Sequence, residues 1–121
     1  MRALTIIVTT DDAERLRGAL MLAAAQAALG GAATLFLQLD AVALLRAPIV
    51  APRDDRHQAA GLPSLAALIA ETLALDVAII ACQSGMALAS MTTSDLPDGV
   101  QIGGPIGLLG QLDDKARLLL V

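Results

Sequence analysis

Residues 3–38 read ALTIIVTTDDAERLRGALMLAAAQAALGGAATLFLQ, and this stretch decides the fold. Its first seven residues, ALTIIVT, are a short unbroken apolar run, the pattern of a strand covered on both faces. Asp11 follows as a helix cap, with Glu14 three residues on as in a capping box. Leu16, Leu20, Ala23 and Ala27 then recur at helical spacing. That predicts a helix to about Leu29, with Gly30 as its C-cap. AATLFLQ at 32–38 is a second apolar strand. Strand, helix and strand in this order form one right-handed parallel unit.

The same alternation continues along the chain. LDAVALLR, from Leu39, reads as one or two helical turns. Residues 47–60, APIVAPRDDRHQAA, are the least regular part: Pro48 and Pro52 break structure, and charge concentrates from Arg53 to His57. An exposed, mobile loop is expected there. Pro63 opens a helix over about 63–74. DVAIIAC (76–82) is the third strand, with a short helix or turn after it. VQI (100–102) is a short fourth strand, GGPIGLLGQL (103–112) a helical segment, and ARLLLV (116–121) the last strand. The expected fold is therefore α/β: a doubly wound, mostly parallel five-stranded sheet with helices on both faces, in one domain spanning 1–121.

Composition narrows the function classes. The sequence is 56% hydrophobic, and Phe36 is its only aromatic residue. Small and aliphatic residues must build the core, and the apolar excess points to burial between subunits. The formal charge is -4 with no basic run, which argues against nucleic-acid binding. Gly18 to Leu39 carries no charge and has the length of a membrane span. Gly30-Gly31 interrupts it and its second half reads as a strand, so a buried helix followed by a buried strand is expected. Only Arg2 precedes the first apolar run, and acid follows it at once, unlike a signal peptide. A cytoplasmic protein with no membrane partner is expected.

Cys82 is the only cysteine, which rules out an internal disulfide and a CxxC redox site. It closes the third strand, where catalytic and ligand-binding groups gather in open α/β sheets. If the following residues start a helix, their N–H groups favour thiolate over thiol. Ser84 is placed to cap that helix or to bond the sulfur, and Gln83 to orient a partner chain. Packing is the competing reading, since free cysteines are among the most buried residues. His57 is the one available histidine, yet it sits in the irregular loop. The Asp pairs at 11–12, 54–55 and 113–114 read as caps and loop charges. The glycines at 103, 104, 107 and 110 do not follow G-x-G-x-x-G and read as close-packing positions.

Two long stretches, IIVTTDDAERLRGALMLAAAQAALGGAATLFL and DVAIIACQSGMALASMTTSDLPDGVQIGGPIGLLGQL, resemble the DsrE/DsrF-like family in content and order. The likeness covers nearly the whole chain, most strongly 76–112. It implies a compact, mainly parallel α/β fold and assembly as a trimer or hexamer. Several members of that family pass sulfane sulfur between proteins through a persulfide on the cysteine that Cys82 matches; others lack an established reaction, and some lack the cysteine. The residues after Cys82, QSGMALAS, are less polar than in the members nearest this pattern. In such a relay Cys82 takes and passes on sulfur with no cofactor and no metal. The N–H groups of Gln83, Ser84 and Gly85 hold the charge, while Thr9, Thr10, Asp11, Gly103 and Gly104 wall the site. Arg56 or His57 closes over it from the loop. The alternatives are a non-catalytic oligomeric subunit, favoured by a buried sulfur, and a small-ligand module with a strand-end pocket.

Overall fold

The computed structural model describes residues 1–121. Five strands, β1 (Leu4–Val8), β2 (Ala33–Leu37), β3 (Ala78–Cys82), β4 (Gln101–Gly103) and β5 (Arg117–Leu120), form one sheet. Its spatial order is β4-β3-β2-β1-β5, and all four pairings are parallel. The helices are α1 (Ala13–Ala28), α2 (Asp54–Ala59), α3 (Leu65–Ala74), α4 (Gln83–Leu88) and α5 (Pro105–Gly110), with 3-10 turns at Leu39–Leu45 and Thr93–Asp95.

Handedness explains how these elements cover the sheet. Steps from β1 to β2, β2 to β3 and β3 to β4 all move in one direction, so right-handed crossovers put α1, α3 and α4 on one face. Helices α1 and α3 pack on each other there. The last step runs back across the whole sheet from β4 to β5, which places α5 on the opposite face. Leu108 of α5 indeed lies over Thr5, Thr34, Ala78 and Ile80.

Burial follows from this unequal cover. Ile6, Val8, Leu35, Leu37, Ile79 and Ala81, on the thickly covered face, are fully buried. On the other face Phe36 is buried, but its flanking neighbours Ile7 and Ile80 are only half-buried. All four residues of β5 are exposed, Leu120 by 70%. β1, read as a strand covered on both faces, is buried at every position but Ile7, whereas β5 is left open at the edge: α1 leads away from it, and α5 has only six residues.

Local caps differ from expectation in two places. Asp12, not Asp11, caps α1, accepting from the Glu14 N–H at 2.9 Å. Ser64 caps α3 through the Ala67 N–H, so Pro63 lies just outside that helix. Gly30 takes φ +88° after α1, a conformation suited to glycine at a helix end. The Gly18–Leu39 stretch divides here into helix and strand, and no helix is long and apolar enough to cross a membrane.

The segment expected to be an irregular loop contains α2, tied down at its first residue. Asp54 accepts from the N–H groups of Ala51 and Leu65, each at 2.9 Å, and pairs with the Arg17 guanidinium. Arg17 is 3% exposed and also donates to the Pro63 carbonyl at 3.0 Å. The Ala51 N–H holds the Asp54 carboxyl below its ordinary range, helped by Leu65 and Arg17 and opposed by burial. A single carboxylate thus joins α1, α2 and the start of α3. Helix α2 has no buried residue of its own, so these polar ties hold it in place.

Candidate functional site

Chains leaving β3 and β4 turn to opposite faces, to α4 and α5 respectively. In open parallel sheets such a divergence opens a crevice at the C-terminal strand ends. Cys82 sits at that point, paired in register with Gly103 of β4.

Cys82 is itself the N-cap of α4. Its Sγ accepts from the Gly85 N–H at 3.1 Å and from the Leu39 N–H at 3.1 Å. Ser84, expected to cap the helix or bond the sulfur, is exposed instead. The sulfur lies where a cap side chain must lie to meet the amide three residues on. Leu39 begins the 3-10 turn after β2 at φ +53°, outside the usual range for a residue with a Cβ. This turn aims its N–H at the sulfur. Gly85 permits the close approach, because a Cβ there would collide with the Leu39 carbonyl oxygen and the Val42 side chain. Two N–H dipoles from separate loops therefore converge on one sulfur, an arrangement that stabilises negative charge on it. Cys82 is nonetheless only 2% exposed.

Some expected wall residues do gather here. Gly103 faces Cys82 across the ladder, and a Cβ on Gly104 would lie 3.6 Å from the Gln83 Oε1. Gln83 is exposed and leans over this edge. Gly107 and Gly110 have open space where a Cβ would stand, so close packing within the chain does not account for them.

Other expected residues lie elsewhere. Thr9, Thr10 and Asp11 follow β1, and β2 stands between β1 and β3. The strand-end loop adjoining Cys82 is the one that begins at Gln38. Thr9 binds the Val121 carbonyl through both its N–H and its hydroxyl, at 3.1 Å each. Thr10 Oγ1 is buried without a partner, and Asp11 is exposed. His57 does not close over the sulfur: its Nε2 lies 2.9 Å and 3.0 Å from the two Glu14 carboxylate oxygens. Arg56 is exposed on the same helix. The Asp54 anchor directs α2 toward the start of α1. Leu39 and Val42 were missed by sequence reasoning, because nothing in LDAV announces a left-handed leucine.

The DsrE/DsrF-like family model matches residues 2–120. Among solved structures, the ychN protein from E. coli is similar at 21% identity and TM-score 0.78, over 100% of both chains. A conserved protein of unknown function from Bacteroides thetaiotaomicron, BT1422, is similar at 22% identity and TM-score 0.65, over 98% of this chain and 94% of that one. At these identities the two structures speak to the fold alone. A search of curated proteins finds no match.

Proposed function

The chain belongs to the DsrE/DsrF-like family, and on that premise we propose that it relays sulfane sulfur as a persulfide on Cys82. The observation that carries this reading is the pair of N–H groups, from Gly85 and Leu39, directed at Sγ. In the first step Cys82 thiolate attacks the outer sulfur of a donor persulfide, R–S–SH. The new S–S bond forms as the old one breaks, and R–S⁻ leaves with the electron pair. In the second step an acceptor thiolate attacks the outer sulfur of Cys82–S–SH, and Cys82 leaves as the thiolate again. No net oxidation occurs: the donor is a persulfide that leaves as a thiolate, and the acceptor is a thiol that leaves as a persulfide. The two N–H groups stabilise the inner sulfur whenever it carries charge. No resolving cysteine exists to divert the persulfide into an internal disulfide.

Burial of Cys82 supports a second reading, a non-catalytic subunit in which the sulfur only caps α4. Intact mass separates the two. After treatment with a persulfide donor, the relay gains about 32 Da per sulfur atom and loses it to a second thiol. No gain at excess donor rejects the relay and leaves the capping role. Cys82→Ser, assayed alongside, must gain nothing.

The same reading includes assembly into a homo-oligomer, a trimer or a hexamer. Ile106 of α5 is 90% exposed, Leu120 of β5 is 70% exposed, and the β5 edge is uncovered. Such surfaces are ordinarily buried in a partner. Light scattering should exceed the 12.3 kDa of one chain severalfold; a stable monomer at micromolar concentration rejects assembly.

A further inference from the structure

Helix α5 covers its face of the sheet incompletely, and the gap beneath it is chemically distinctive. A cavity of about 190 Å³ lies between α5 with its following loop and the N-terminal half of the strands. Its floor includes Thr5 and Thr34, direct neighbours in register on β1 and β2. Gln101, Gln111 and Asp113 supply polar walls, while Ala78, Ile80 and Leu108 supply apolar ones. Thr5 is only 4% exposed. Neither threonine hydroxyl nor either glutamine side chain is engaged in a hydrogen bond to the rest of the chain. Thr5 therefore brings an unpartnered hydroxyl to this space from a buried position, with half-buried Thr34 beside it and the exposed Gln101 and Gln111 at the rim. Apolar walls combined with polar groups that fix orientation are the pattern of small-molecule sites.

We propose that this cavity binds a small aliphatic ammonium compound bearing a hydroxyl or amide group at its other end. Size sets the first limit: a cavity of about 150 Å³ accepts benzene, so this one takes about six to eight non-hydrogen atoms. Charge sets the second. Asp113 is the only ionisable residue lining the cavity. One of its oxygens accepts from the Lys115 N–H at 3.1 Å, leaving the other for a ligand ammonium. Anions find no cation on these walls. The Thr5 and Thr34 hydroxyls then select a ligand tail that both donates and accepts. A smaller cavity of about 140 Å³ shares Ile80, Gln101, Leu108 and Gln111 as a common wall and reaches Gly103. The site is separate from Cys82 and does not depend on that residue carrying sulfur.

The test uses the full chain and 5-aminopentan-1-ol, a probe of about seven non-hydrogen atoms that fits the limit above. Amide NMR titration should saturate at about millimolar probe, with shifts concentrated at Thr5, Thr34, Ala78 and residues 111–116. Pentane-1,5-diol and 5-hydroxypentanoate should bind at least about fivefold more weakly. Asp113→Asn removes the charge at an exposed position, and Thr5→Val removes a buried hydroxyl at constant shape. Each should weaken the amine by about fivefold, while Cys82→Ser leaves it unchanged. The proposal falls if the amine gives no saturable shift, if the diol binds as tightly, or if neither Asp113→Asn nor Thr5→Val alters affinity.

Discussion

Replacing Gly85 by alanine adds one methyl group where the structure has no room for it. The new Cβ meets the Leu39 carbonyl oxygen and the Val42 side chain, and Val42 is itself fully buried. A backbone oxygen cannot rotate away as a long side chain can, so the first turn of α4 and the Leu39 turn must separate. Overpacking of this kind costs about 3 kcal/mol at the upper end of the usual range. Alanine returns about 1 kcal/mol over glycine in a helix. The net loss is about 2 kcal/mol, or about 6–10 °C in Tm for a domain of this length. Separation also lengthens at least one of the two N–H contacts to Sγ and exposes the sulfur. Alkylation of Cys82 by a neutral reagent should therefore quicken as stability falls. Gly18→Ala is the matched control, because nothing lies within 4 Å of its added Cβ in the middle of α1. That change should stabilise by about 0.5–1 kcal/mol and leave alkylation alone. A Gly85→Ala protein with unchanged Tm and unchanged alkylation would refute the packing argument at the sulfur.

Acid should unfasten α2 through Asp54. Its folded-state carboxyl titrates below the ordinary 3.8, so its stabilising contribution is complete above that pH and is lost as pH falls through the lower folded value. Asp54→Asn should cost about 2–4 kcal/mol by urea unfolding at pH 7, because the buried Arg17 guanidinium loses its closest carboxylate and keeps only Glu14 at 3.7 Å, and should flatten the acid limb of the stability profile. Thr10→Val should be neutral or stabilising by up to about 1 kcal/mol, since the buried Thr10 Oγ1 has no partner to lose; a loss above that size would reveal a hydrogen bond at this corner. Cys82→Ser should keep Tm within a few degrees of the wild type, because a serine oxygen caps the Gly85 N–H at least as well as sulfur does. A large drop in Tm would show that sulfur packing, rather than capping, holds α4.

Much of the architecture was legible in the residues themselves. Largely apolar runs at 3–9, 32–37 and 77–82 mark parallel strands, and the period of Leu16, Leu20 and Ala23 marks the helix between the first two. These patterns are local, so a sequence displays them directly. The position of Cys82 at the end of β3 followed from the same patterns. Strand exposure did not: ARLLLV is as apolar as ALTIIVT, yet β1 is central and β5 is an edge. Only strand order and the shortness of α5 separate the two.

The surroundings of the sulfur were likewise a tertiary decision. Sequence placed Thr9 to Asp11 beside Cys82, whereas the sheet inserts β2 between them and brings Leu39. His57 was assigned to the site by its chemistry, but the Asp54 anchor delivers it to Glu14. Chain order names which groups exist and where strands end; it does not say which two strand ends become neighbours. Sheet order and crossover handedness settle that, because they depend on contacts among residues far apart in the chain. The two N–H groups that meet at Cys82 Sγ come from positions 39 and 85, and no local pattern could have joined them.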